Sequence, residues 1–194
     1  MYYIPFLHEY PYFMKVPIYN DGKSVYWTIP NEKGHANRFG YLRSLHEDRN
    51  LLITDYGPKP FVVNINKATK QNNTFRTALW TGKHFQVTLM SLGIGEDIGL
   101  EIHPNVDQFL RIEQGRGIIK MGKSKENLNF QRNVYDDYAI VVPAGTWHNV
   151  INTGNIPLKL YSIYAPPNHP FGTVHVTKAD AAIAEDEHRY STEG

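Results

Sequence analysis

A chain of 194 residues can bury one sizeable core and carry arms around it, and it is too short for two large domains. Its 41% hydrophobic and 20% charged residues are the balance of a folded globule, which excludes disordered, collagen-like and coiled-coil polymers. A formal net charge of +1, from 20 basic and 19 acidic residues, offers no field to draw in nucleic acid or an anionic membrane, and the absence of cysteine excludes disulfides, thiolate metal sites and thiol nucleophiles.

Met1 to Lys15 has no basic residue ahead of an apolar run and carries Pro5, His8, Glu9 and Pro11, unlike a secretory signal. No window approaches the roughly 18 apolar residues of a membrane span, so a cytoplasmic protein without membrane contact is expected. Residues 1–57 hold eight of the 13 tyrosines, among prolines and polar residues, and read as an arm that packs over a barrel wall or a neighbouring subunit. Phe39, Leu42 and Leu45 recur every three residues there and suggest a short helix. From Pro60 the pattern turns to β. Short apolar or alternating runs cover Phe61–Val63, Phe75–Trp80, Phe85–Leu92, Phe109–Ile112, Gly117–Met121, Ala139–Val142, Val150–Ile151 and Leu158–Tyr164, with turn residues between them. Many short strands joined by tight turns predict an all-β closed barrel or sandwich over residues 58–166. Lys120, Lys123 and Lys125 read as a solvated loop. Beyond Pro166-Pro167 the chain is expected to leave the sheet, and in the tail, 167–194, Lys178 to Glu187 reads as one short helix. No internal repeat is visible, so one barrel is expected.

Two stretches carry the chemistry: Gly95 through Glu101, His103 and Gln108 to Gly115, and Pro143 through Gly145 and His148 to Asn152. Glu101 and His103 are two apart, so on a strand they share a face. A reversal at Pro104-Asn105 would return Gln108 to that face, which Leu110 and Ile112 mark as inward. Pro143-Ala144-Gly145 makes a turn, and His148 alternates with Val150 into the same interior. A buried glutamate, glutamine and two histidines need partners, and a divalent cation would satisfy all of them. Two imidazoles and a carboxylate suit Fe(II), Mn(II) or Zn(II) and leave coordination positions open. By alternation Glu113 faces away from the lumen and Trp147 points into wall packing, while Ser162 and Tyr164, which alternate with Ile163, either line the barrel mouth or, as is expected here, have their hydroxyls satisfied by the sheet edge. His8, His35, His46, His84, His169, His175 and His188 show no mutual ligand spacing.

The spacing resembles the paired motifs of the cupin superfamily. Gly95, position 101, His103, position 108 and Gly115 fall at the offsets of the first motif, and Pro143, Gly145, His148 and Asn152 at those of the second. Glu101 stands where the first motif usually has histidine, Gln108 where it has glutamate, and Asp137 where the second has glycine. The resemblance implies a jelly-roll barrel, an antiparallel double-stranded β-helix, of the single-domain cupin 2 type. It also implies a divalent metal, Zn, Fe, Mn or Ni, held by Glu101, His103, Gln108 and His148, with Gln108, a weak amide donor, either a direct ligand or just behind the ligands. Glutamine, histidine, glutamate and histidine are also the ligand types of the zinc-dependent type I phosphomannose isomerases, in a different order. The expected function is therefore a metal-dependent enzyme on a small polar molecule, a sugar-type isomerase or a dioxygenase. The alternative is a non-catalytic cupin that binds a small ligand or packs into an assembly. A homodimer is the expected oligomer.

Overall fold

The computed structural model describes residues 51–184. The tyrosine-rich arm up to residue 50, its short helix, and the last residues of the helix expected to reach Glu187 lie outside the described residues. Among the described residues, nine strands form two antiparallel sheets: β1 (Arg76–Thr81), β2 (Gln86–Leu92), β3 (Asp107–Gln114), β4 (Arg116–Gly122), β5 (Phe130–Tyr135), β6 (Ala139–Val142), β7 (Trp147–Asn152), β8 (Leu158–Ala165) and β9 (Val174–His175). The larger sheet has the order β6-β3-β8-β2-β1-β9 and the smaller β5-β4-β7. Buried residues from both sheets, among them Met90, Leu110, Ile119, Val150 and Leu160, join in one apolar cluster, so the sheets enclose a common core, as a jelly-roll barrel requires. Among the described residues, no helix is long and apolar enough to cross a membrane.

The inner face of the larger sheet changes character along its length. Register places Gln86, Tyr164 and Gln108 side by side at one end, then Thr88, Ser162 and Leu110, then Met90, Leu160 and Ile112, and last Leu92 and Leu158. Adjacent inward positions belong to one face because side chains alternate along a strand. One end of the lumen is therefore polar and the other wholly apolar.

A second cluster covers the outer face: Ala68, Leu79 and Leu89 are buried with Leu51, Ile53, Tyr56, Phe61 and Val63 packed around them. Ala68 belongs to helix α1 (Ile65–Gln71), whose N-cap Asn64 accepts a hydrogen bond from the Lys67 amide at 3.0 Å. The alternation reading took Phe61–Val63 as a strand. Instead it is irregular chain that lays its apolar side chains on the sheet and leads into α1. A bulge in β3 between Ile112 and Gln114 lets Glu113 be buried on the outer side, where it accepts from Asn66 of α1 and Arg111. The expectation that the chain leaves the sheet after Pro167 is also corrected: it returns as β9 and pairs with β1. Residues 178–184 then form helix α2, which places Ala181 in the main core.

Candidate metal centre

The segment before β3 runs along β7, and its register decides where Glu101 points. The amides of Asn152 and Ile98 bond to the carbonyls of Glu96 and Val150, whereas Glu101 and His148 exchange both backbone hydrogen bonds, at 3.1 and 3.0 Å. Three steps from Ile98 to Glu101 thus oppose two from Val150 to His148. The extra residue is accommodated at Gly99, whose φ of 92° is open to glycine and costly for other residues. Glu101 is thereby set directly across from His148. His103 is held by a different contact: its carbonyl accepts the Gly145 amide at 2.9 Å, and Asp107 accepts the Ala144 amide at 2.9 Å. Both brace the turn that delivers His148 into β7.

The three side chains converge. Glu101 Oε1 lies 3.4 Å from His103 Nε2 and 3.3 Å from His148 Nε2, and the ligand atoms of the three residues all fall within 4.8 Å of one another. None of these three atoms, all buried, completes a hydrogen bond of ordinary geometry. The His148 Nδ1 lies 2.9 Å from the Thr146 carbonyl, which can only accept, so Nδ1 carries the proton and Nε2 presents its lone pair to the centre. Such a set fits a divalent cation: two imidazole nitrogens and a carboxylate oxygen converge and complete no other hydrogen bond. Burial alone would push the Glu101 carboxyl up, but its contacts with His103 and His148 and the charge of Arg76, 3.9 Å away, outweigh this and hold it well below the usual carboxylate range.

Gln108, the fourth residue singled out by the sequence, lies on the inner face of β3. Its amide nitrogen donates to Ser162 Oγ at 2.9 Å, and its Oε1 is buried without a hydrogen-bond partner. An amide oxygen so placed is open to a ligand or an ion, while the nitrogen is committed to β8.

Around these groups the structure adds residues that spacing did not indicate. Tyr164 does not have its hydroxyl satisfied by the sheet edge, contrary to expectation. Its ring is fully buried, meeting His103 edge-on at 5.6 Å and His169 at 5.0 Å. Burial raises its phenol to about 12 despite the opposing charge of Arg76. The hydroxyl feels those of Ser162 and Thr88 without meeting either in hydrogen-bond geometry. Arg76, 1% exposed, reaches in from β1; its inward placement follows from its pairing with Met90 of β2, a residue of the main core. His169 had no signal in the sequence. It is held from behind by Gln86, which accepts the His169 amide and donates to its carbonyl, each at 3.0 Å.

The motif glycines also find their reason. Gly95, Gly115 and Gly145 all have positive φ, and Asp137, standing where the second motif has glycine, takes φ 68° itself. Aspartate tolerates this conformation better than most residues, and its carboxylate pairs with Arg111 at 2.5 Å.

Known proteins agree with the fold. The family described as Cupin domain matches residues 88–164. The protein YrkC of Bacillus subtilis (strain 168) is 83% identical over 186 residues, 96% of this chain and 100% of that protein. The protein L612 of Acanthamoeba polyphaga mimivirus is 44% identical over 119 residues, 61% of this chain and 72% of that protein. The crystal structure of BH2720 from Bacillus halodurans is 69% identical with a TM-score of 0.67, covering 68% of this chain and 99% of that one. With two paired motifs at the ends of facing strands, one jelly-roll barrel and these relatives, the chain belongs to the cupin superfamily as a cupin 2 type domain.

Proposed function

We propose that this cupin binds one divalent metal ion through Glu101, His103 and His148, with Gln108 Oε1 as a fourth, weaker donor, and uses it as a Lewis acid on a small polar molecule. The observation that supports this most is the group of three buried ligand atoms, 3.3 and 3.4 Å apart across Glu101, with no hydrogen bonds to spend. Leaving such atoms unpaired costs on the order of 1–3 kcal/mol each, more for a charge, and an ion removes that cost. When bound, the ion would polarise a carbonyl or hydroxyl oxygen of the substrate. The chain's own part is to fix ligand geometry. Thr146 locks the His148 tautomer, Gly145 ties down His103, and the double bond pair sets Glu101. Glu101 and His103 side chains are 17% and 11% exposed, so a small molecule reaches the centre from their side. No second free carboxylate lies nearby among the described residues, because Glu113 is engaged with Asn66 and Arg111 on the outer face. Chemistry that needs a carboxylate base separate from the metal ligand is thereby disfavoured. Isomerisation by proton shuttling through an oxygen-bound ligand, or oxidation with O₂, is favoured.

The test begins with metal content, measured by mass spectrometry on protein purified without chelator or nickel resin. His103→Ala and His148→Ala should each lose most of the bound metal, and Gln108→Ala a smaller share. Equal content in all three variants would refute the ligand set. Oxygen uptake with diketone or catechol-like substrates, and solvent deuterium exchange with free or phosphorylated sugars, then separate oxidation from isomerisation. Silence in both, in protein that holds its metal, would indicate a binding protein instead.

A further inference from the structure

Three buried polar atoms at the polar end of the lumen lie outside the proposed ligand set and complete no hydrogen bond of ordinary geometry: Thr88 Oγ1, Tyr164 Oη and His169 Nε2. Thr88 and Tyr164 are each 0% exposed, so water outside the fold does not serve them. They are neighbours, since Thr88 pairs in register with Ser162, two residues before Tyr164 on the same inward face of β8. They also adjoin the centre, because the Tyr164 ring meets His103 at 5.6 Å. A buried hydroxyl without a partner is costly, and proteins rarely leave two together. Gln108 and Ser162 show that the same region can satisfy itself where nothing else is needed.

We propose that Thr88 and Tyr164 form an oxygen-recognition subsite beside the metal centre, which holds the free carboxylate of a small hydroxy-dicarboxylic acid while its hydroxyl and other carboxylate chelate the ion. The proposal rests on the metal reading above. Both groups are hydroxyls that can donate, and a phenol is protonated at neutral pH, so two adjacent donors select an oxyanion over a hydroxyl. The Tyr164 and His103 rings touch edge-on, with centroids 5.6 Å apart, so the hydroxyls adjoin the centre and a short acid is the class to test. The ligand would enter past Glu101 and His103, the more exposed side chains, and turn its second carboxylate towards the buried Thr88 and Tyr164 hydroxyls.

Calorimetric titration of manganese-loaded protein with hydroxymalonate and with glycolate tests this, since glycolate has the chelating pair but no second carboxylate. Wild type should bind hydroxymalonate at least about 10-fold tighter than glycolate. Tyr164→Phe and Thr88→Val, each removing only the hydroxyl function, should each weaken hydroxymalonate by about 10-fold, with glycolate affinity and metal content unchanged. Equal weakening of both acids would mean that Tyr164 acts through His103, and no weakening in either variant would mean that the hydroxyls hold only water; each overturns the subsite. Loaded wild type with no preference for hydroxymalonate would overturn the subsite and leave the metal reading standing. Wild type that takes up no manganese or other divalent ion would remove both.

Discussion

The His169 imidazole is uncharged at neutral pH, because burial, reinforced by the Arg76 charge, lowers its pKa to about 3. Glu101 opposes that shift, His103 and His175 add to it, and the Tyr164 ring packs against it. In the unfolded chain the same group titrates near its ordinary value of about 6.5, so between those two pH values the unfolded state binds the extra proton. Stability from this residue is therefore complete above about pH 6.5 and falls as pH drops towards 3, by up to about 1.4 kcal/mol per pH unit. Thermal melts of metal-free protein from pH 7 to 4.5 should show a steeper loss for wild type than for His169→Asn. The variant keeps both backbone bonds to Gln86, so parallel curves would contradict the assignment. His169 was illegible in the sequence for a physical reason: it lies in a loop without period, and only the pairing of distant strands brings it to Tyr164. Glu101, His103 and His148 were legible because strand alternation and a turn fix their direction locally. Asp137 lies between these cases. The motif offset marks its position, but only the backbone, at φ 68°, explains why glycine is usual there.

Elements followed the same division. Strands with one apolar face, such as β2, β3 and β8, were readable from alternation, since Leu110 and Ile112 or Leu158 and Leu160 are buried on the inner side as their spacing requires. Strand β5 was not, because five of its six residues are exposed and only Val134 reaches the core. Helix α1 escaped for a similar reason: Asn66, Lys67, Lys70 and Gln71 dominate its sequence, and it is held by its Asn64 cap and by the buried Ala68 and Thr69. Asn152, which closes the second motif, is a joint between elements and not a ligand. Its amide nitrogen donates to the carbonyls of Leu92, Gly93 and Ile156 at 2.9–3.1 Å, and its Oδ1 accepts the Gly154 amide at 2.8 Å. Replacing it with alanine strands several buried backbone groups at the ends of β2 and β7, at a cost of about 2–4 kcal/mol. Denaturant melts of Asn152→Ala should show that loss, while metal stoichiometry in the folded fraction stays at the wild-type value. A neutral melt would show that the turn is held by other contacts.

Among the described residues, the outer cover of the large sheet begins at Leu51, whose amide donates to Gln71 at 2.9 Å and whose side chain joins the second core. Every group assigned to the metal centre follows it in sequence. A chain that starts at Leu51 should therefore bind metal with unchanged stoichiometry, and loss of metal on removing residues 1–50 would show that they contribute to the site. Light scattering on the same truncated protein asks whether those residues carry the expected homodimer. The graded lumen has a further consequence, for the protein's history rather than its physics. Folding depends on the apolar rows from Met90 to Leu158, whereas the polar groups of Thr88, Gln108, Ser162 and Tyr164 make one hydrogen bond among them, from Gln108 to Ser162, and contribute little to it. Lineages that kept the barrel but changed their ligand could rewrite the polar rows alone. In a library selected only for solubility, substitutions should accumulate at those four positions while the apolar rows stay fixed.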